Sequence, residues 1–176
     1  KNNNNILRLP ALLDTFKGAV AVIPFRDPAQ QAASLLHQHQ RSLVLHKSDP
    51  FRGKFMQWLG HHEFGSDQRP FIFENASAQQ SPDVIDYWLH LWTNVYQYLS
   101  QIAARYPQQV ILVDYDQLCR DPDALRRLCT RIGCPPDHIL ADTLSVQPER
   151  PLPAPDTDLV ARAEKLHSEL QHMAST

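Results

Sequence analysis

Glycine is scarce in this chain, with five among 176 residues, and no Gly-rich run could wrap a phosphate through backbone amides. Cysteine is rarer still. Cys119, Cys129 and Cys134 are odd in number and lack CxxC spacing, which indicates neither a disulfide framework nor a zinc site. They are expected to be small buried hydrophobes in a reducing, cytoplasmic setting. Long apolar runs are missing as well, since none approaches the roughly 20 residues of a membrane span. Cationic charge is not in excess: 17 Lys and Arg stand against 19 Asp and Glu, for a formal net charge of −2. That balance argues against general nucleic-acid binding, yet it allows one small anion to be held by a few placed arginines. No secretory signal pattern is visible, and the first residue is Lys1 rather than Met, so a preceding segment is expected.

What is present suits a globular chain, with 43% hydrophobic and 20% charged residues. The length fits a single domain over 1–176. Ile6, Leu9, Leu12, Leu13 and Phe16 recur at helical spacing up to Gly18. Ala19 to Ile23 is a short continuous apolar run, as expected of a strand buried on both faces of a parallel sheet. Asp27-Pro28, with Gln30 completing a capping-box pattern, predicts a helix from there to about Leu45. Asp49-Pro50 predicts a short helix through Trp58, ended by Gly60. Arg69-Pro70 and the polar run Asn75 to Ser81 are expected to be surface loop.

A long helix is expected from Ser81-Pro82, with Val84, Ile85, Trp88, Leu91, Trp92, Val95, Leu99 and Ile102 as its stripe. Both tryptophans on it are expected in the core. Val110 to Val113 is a second strand candidate. Asp121-Pro122 opens another capped helix, which Gly133-Cys134-Pro135-Pro136 stops. Four prolines make 148–155 an extended connector, and 156–173 closes as a helix with Leu159, Leu166, Leu170 and Met173 on one face. Strands alternating with helices predict an α/β fold, a parallel sheet flanked by helices.

The most informative stretch is Val22-Ile23-Pro24-Phe25-Arg26-Asp27-Pro28, followed by Ser34. In open α/β sheets ligands sit beyond the carboxyl ends of the strands, which is where Arg26 falls. A guanidinium is permanently charged and forked to match phosphate oxygens. Ser34 lies about 10 Å along the following helix at ~1.5 Å per residue, within reach of an Arg side chain lying beside the first turns. The helix N-terminus adds a favourable potential for an anion. The plain alternative pairs Arg26 with Asp27 or another carboxylate and leaves Ser34 as a tolerated helix residue.

Arg26-Asp27-Pro28 with Ser34 resembles the 3′-phosphate-binding motif of sulfotransferases. The segment Val113-Asp114-Tyr115-Asp116-Gln117-Leu118-Cys119-Arg120-Asp121-Pro122 is similar to that family's strand, acidic-Leu turn and capped helix. Leu128 to Gly133 matches its usual helix ending. The likeness runs loosely from Ile6 to about Gly133. It implies the C-terminal part of a P-loop-nucleotide-hydrolase-like fold that transfers a sulfuryl group from 3′-phosphoadenosine 5′-phosphosulfate (PAPS) to a hydroxyl or amine of a small molecule or glycan, without a metal. Arg26 and Ser34 would then hold the donor's 3′-phosphate as binding rather than catalytic residues.

Two departures stand out. The family's 5′-phosphosulfate loop has no counterpart here, so this segment alone would be catalytically incomplete. Cytosolic members carry Lys-x-His near the place where this chain reads Lys1-Asn2-Asn3, and no His follows Lys1. Other members place a Glu base just after the missing loop. Lys1 is a donor-contact candidate by that likeness alone. His61, His62 and Glu63, between Gly60 and Gly65, are further catalytic candidates: an acceptor-side base, a metal site, or ordinary loop structure. Their spacing is not HExxH. His37 and His39, two apart on a helix, should point away from each other. Arg126, Arg127 and Arg131 are expected on a solvated helix face. The rival functions are a nucleotide-kinase-like fragment that binds ATP and a non-catalytic interaction module.

Overall fold

The computed structural model describes residues 5–73, 80–135, 144–145, 148–151 and 153–174. Helices α1 (Asn5–Thr15), α2 (Pro28–Ser48), α3 (Pro50–Trp58), α4 (Ile85–Arg105), α5 (Tyr115–Arg120), α6 (Pro122–Arg131) and α7 (Thr157–Ala174) accompany strands β1 (Ala21–Phe25) and β2 (Val110–Asp114). The described residues are thus mixed α/β, mostly helical, with a small two-stranded parallel sheet. Its contacts cluster in two compact units. One comprises Lys1–Asp27, Leu99–Glu149 and His167–Thr176; the other comprises Pro28–Tyr98 and Arg150–Leu166.

In the first unit β1 and β2 pair in parallel, Ala21 opposite Val110 and Phe25 opposite Asp114. The β-branched run Val110-Ile111, with Leu112, is buried, as suits a strand against a core. The first strand begins two residues later than the apolar run predicts. Ala19 is not free to pair, because its amide bonds to the Phe16 carbonyl in the turn that ends α1. Pairing begins where the Ala21 amide meets the Gln109 carbonyl at 2.7 Å. Burial on both faces does not hold either: Val22 is 39% exposed and burial alternates along the strand, with Phe25 fully enclosed.

Gln109 also closes the end of α1. Its side-chain Nε2 lies 3.3–3.4 Å from the carbonyls of Leu13, Phe16, Lys17 and Ala19. Helix-terminal carbonyls lack intrahelical partners, and one amide here serves a group of them.

The capped helices follow their local signals. Asp49 accepts from the Phe51 amide at the start of α3, and Asp121 from the Asp123 amide at the start of α6. Asp114 caps α5 in the same way, a cap the sequence did not announce. Gly60 and Gly133 follow α3 and α6 with φ of 70° each, the left-handed conformation that ends helices.

The long helix α4 starts at Ile85 rather than Ser81, where the Ser81 hydroxyl and the Asp83 carboxylate bond to each other instead. Its buried stripe is shifted accordingly. Ile85, Trp88, Leu89, Trp92, Tyr96, Leu99 and Ile102 are buried, whereas Val84 is 46% exposed and Leu91 and Val95 are half-buried. Trp88 and Trp92 lie in the core as expected. On α7, Leu159, Leu166 and Leu170 are buried with Ala163, and Met173 is only half-buried. Of the cysteines, Cys129 alone is buried; Cys119 is half-buried and Cys134 exposed, which corrects the expectation that all three are enclosed.

Candidate functional site

The parallel register brings the carboxyl ends of the two strands level, so the residues just beyond them, Arg26 and Tyr115, are neighbours. The Arg26 guanidinium carbon lies 5.6 Å from the centroid of the Tyr115 ring. Its Nε is buried, has no hydrogen-bond partner among the described residues, and stands 4.0 Å from Asp116 Oδ1. That separation is an ion pair but too long for a hydrogen bond. A hydrogen bond with Cys119 and then burial hold the Tyr115 phenol above its ordinary value, while Arg26 pulls it the other way.

The support beneath this pair is dense. Asp114 Oδ1 accepts from the amides of Asp116 and Gln117, and its Oδ2 accepts from Gln171 Nε2 of α7 at 2.8 Å. Phe25, just before Arg26, meets the His167 ring edge-on at 5.6 Å. Arg26 is therefore mounted at a strand end, with its charge faced by the Asp116 carboxylate and the Tyr115 ring.

Ser34 lies on α2, in the other unit, half-buried. Ser42, Thr93 and Thr130 return their hydroxyls to the carbonyl four residues back. Ser34 makes no such bond among the described residues. Lys1 lies outside the described residues.

The second cluster is the loop after α3. His61 Nδ1 is 3.2 Å from Glu63 Oε1, and His62 Nδ1 is 2.7 Å from Asp67 Oδ2. Asp67 also accepts from Arg69, and that hydrogen bond, ahead of the one from His62, holds its carboxyl below the usual range. The Arg69 amide bonds to the His62 carbonyl at 2.8 Å and closes the loop. His37 and His39 do point apart. His37 is exposed, while His39 is buried against Trp88 and accepts from the Gly65 amide. These links make the loop a firmly built element in its own right. Among the described residues no group of three His, Cys, Asp or Glu side chains could hold a metal ion.

A groove of 370 Å³ runs beside β2, with Leu112, Leu118, Ala124, Leu128, Arg127 and Arg131 among its lining residues. Neither Arg26 nor Tyr115 lines it. Arg126 and Arg127 lie on a solvated face as expected, and Arg127 bonds to the Asp121 carboxylate at 2.6 Å. Compared with protein-family models, curated proteins and solved structures, the chain matches none of them. Function must be argued from the site itself. Among the described residues no helix is long and apolar enough to cross a membrane.

Sequence reasoning singled out Arg26 and the His61–Glu63 group, but it missed Tyr115, Asp116 and His39 as structural partners. Tyr115 and Asp116 stood in the motif segment already quoted, so the signal for them existed. For His39 a lone histidine in a helix carries none.

Proposed function

We propose that this chain is part of a PAPS-dependent sulfotransferase, with Arg26 and Ser34 gripping the 3′-phosphate of the donor nucleotide. The observation that carries this function is the mounting of Arg26: the first residue past β1, beside the end of a parallel neighbour, its Nε buried without a hydrogen bond among the described residues. A guanidinium aligned by an aromatic face, with its nearest carboxylate beyond hydrogen-bond distance, keeps donors for phosphate oxygens. Ser34, eight positions on, supplies the hydroxyl that the motif likeness calls for. The small parallel sheet and its helices fit part of a P-loop-nucleotide-hydrolase-like fold. The free cysteines fit a cytoplasmic setting.

In the reaction, an acceptor hydroxyl or amine attacks the donor sulfur. The bond from sulfur to the bridging phosphate oxygen breaks, its electron pair leaves with adenosine 3′,5′-bisphosphate, and the acceptor proton passes to a base. Arg26 and Ser34 act far from the sulfur, so they contribute positioning and affinity rather than chemistry.

The test is a calorimetric titration of adenosine 3′,5′-bisphosphate into the folded protein, with Arg26→Ala and Ser34→Ala alongside. Micromolar binding, abolished in a still-folded Arg26→Ala protein and weakened by Ser34→Ala, is the expected result. A second function, a non-catalytic interaction module, is favoured by the nearness of Asp116 to Arg26. It requires no nucleotide binding by the wild type and an Arg26→Ala protein altered only in stability. Binding of ATP in preference to the bisphosphate would point instead to a kinase-like protein.

A further inference from the structure

Helix α3 packs the wrong way round for a globular protein. A helix normally turns its apolar stripe inward. Here Phe51, Phe55, Trp58 and Leu59, spaced i, i+4, i+7 and i+8 and so on one side, are 62%, 44%, 68% and 53% exposed. No residue of α3 is buried. The side that meets α2 is the one carrying Gly53, where an added Cβ would lie 3.4 Å from the His46 ring. The aromatic side is ordered nonetheless: Phe51 stacks on Phe55 at 6.0 Å and meets Trp58 edge-on at 6.1 Å.

Charge beside this stripe is mainly positive. At 3.6 residues per turn, Arg52 and Lys54 flank the aromatic face on either side. Across residues 28–62 the cations are Arg41, Lys47, Arg52 and Lys54, and the sole carboxylate is Asp49, in a chain whose overall charge is −2. Asp49 accepts from the Phe51 amide and also stands 3.9 Å from Arg52, so Lys54 is the cation beside the stripe that has no ion pair among the described residues.

We propose that α3 is a docking helix for an anionic lipid surface, which lies in the interface with Phe51, Phe55, Trp58 and Leu59 among the acyl chains and Arg52 and Lys54 at the headgroups. Aromatic residues on one side with cations beside them are the pattern of interfacial helices, and nine residues suffice to lie on a bilayer though not to cross it. A second copy of the chain is the poorer occupant. A two-fold contact through this face would set Arg52 and Lys54 of the two copies against each other. This assignment is independent of the sulfotransferase function.

Trp58 supplies the readout. It is exposed, whereas Trp88 and Trp92, the other two tryptophans, are 1% and 2% exposed. Vesicles of phosphatidylcholine with phosphatidylserine should co-sediment the full chain and shift its tryptophan emission to the blue, and Trp58→Phe should remove the shift. Phe55→Ser should abolish sedimentation. Lys54→Glu, which reverses one charge, should weaken it by about tenfold or more. All three side chains are exposed, and unchanged thermal melts would establish that the variants are folded. The proposal is overturned by any of three results: no sedimentation, equal sedimentation on pure phosphatidylcholine, or self-association that is lost in Phe55→Ser but untouched by Lys54→Glu.

Discussion

The Nδ1 atom of His39 accepts a hydrogen bond from the backbone amide of Gly65, 26 residues further along the chain, at 3.2 Å. Accepting at Nδ1 requires that nitrogen to be unprotonated, so the ring proton sits on Nε2, which faces Asp83 Oδ1 at 4.0 Å. With Trp88 against its ring, His39 is the post on which the loop after α3 hangs.

Burial pushes the His39 pKa below the ordinary 6.5 of histidine, and Asp83 opposes this only in part. The sign follows from linkage. Below about pH 6.5 the unfolded chain takes up a proton that the folded protein refuses, so stability falls with falling pH until the folded pKa is reached. Denaturant melts across that window should show this slope, and His39→Gln should flatten it. A slope unchanged in His39→Gln would assign the dependence to other groups.

Gly65 sits at φ +86°, and a Cβ there would lie within 2.5 Å of the His46 ring atoms Cε1 and Nδ1. Gly65→Ala is therefore expected to destabilise the fold by about 1–2 kcal/mol from the left-handed backbone alone, with the displaced imidazole adding to it. Adding His46→Ala should restore the part due to the clash and leave the backbone part. Thermal denaturation of the single and double variants separates the two.

Asp114 joins three segments through one carboxylate: the end of β2, the first turn of α5, and Gln171 on α7. Asp114→Ala should cost about 2 kcal/mol, since it removes a helix cap and one further hydrogen bond. Asp114→Asn, which keeps an acceptor for the cap, should cost less. Urea unfolding distinguishes them, and equal losses would show that the cap carries little.

Gln109→Leu should destabilise the protein by about 1–2 kcal/mol, because the carbonyls at the end of α1 lose their shared donor. Faster amide exchange at Phe16 and Ala19, whose amides make the turn bonds there, would locate the damage.

The elements legible in the sequence were those whose causes lie within a few residues. Asp49-Pro50 and Asp121-Pro122 each start a helix because a carboxylate and a fixed proline φ act on the next turn, wherever the helix later packs. Of the site, Arg26 was legible as the residue beyond an apolar run. Asp116 and Tyr115, its neighbours in space, lie 90 and 89 positions further on, and only strand pairing in register brings them together.

Local chemistry in the sequence thus determined the starts of α2, α3 and α6, the existence of two strands and the place of Arg26 beyond the first of them. Tertiary structure decided the rest. The start of β1 depends on the α1 turn, which claims the Ala19 amide, and on Gln109, whose side chain donates to the Ala19 carbonyl. The α4 stripe turned to bury Leu89 and Tyr96 rather than Val84 and Leu91, because periodicity defines a face only to within a residue or so and the packing partners choose among neighbours. On α3 the aromatic side faces outward, because the side with Gly53 is the one seated on α2. Hydrophobic spacing says which residues share a side; what that side meets is settled only when the other elements arrive.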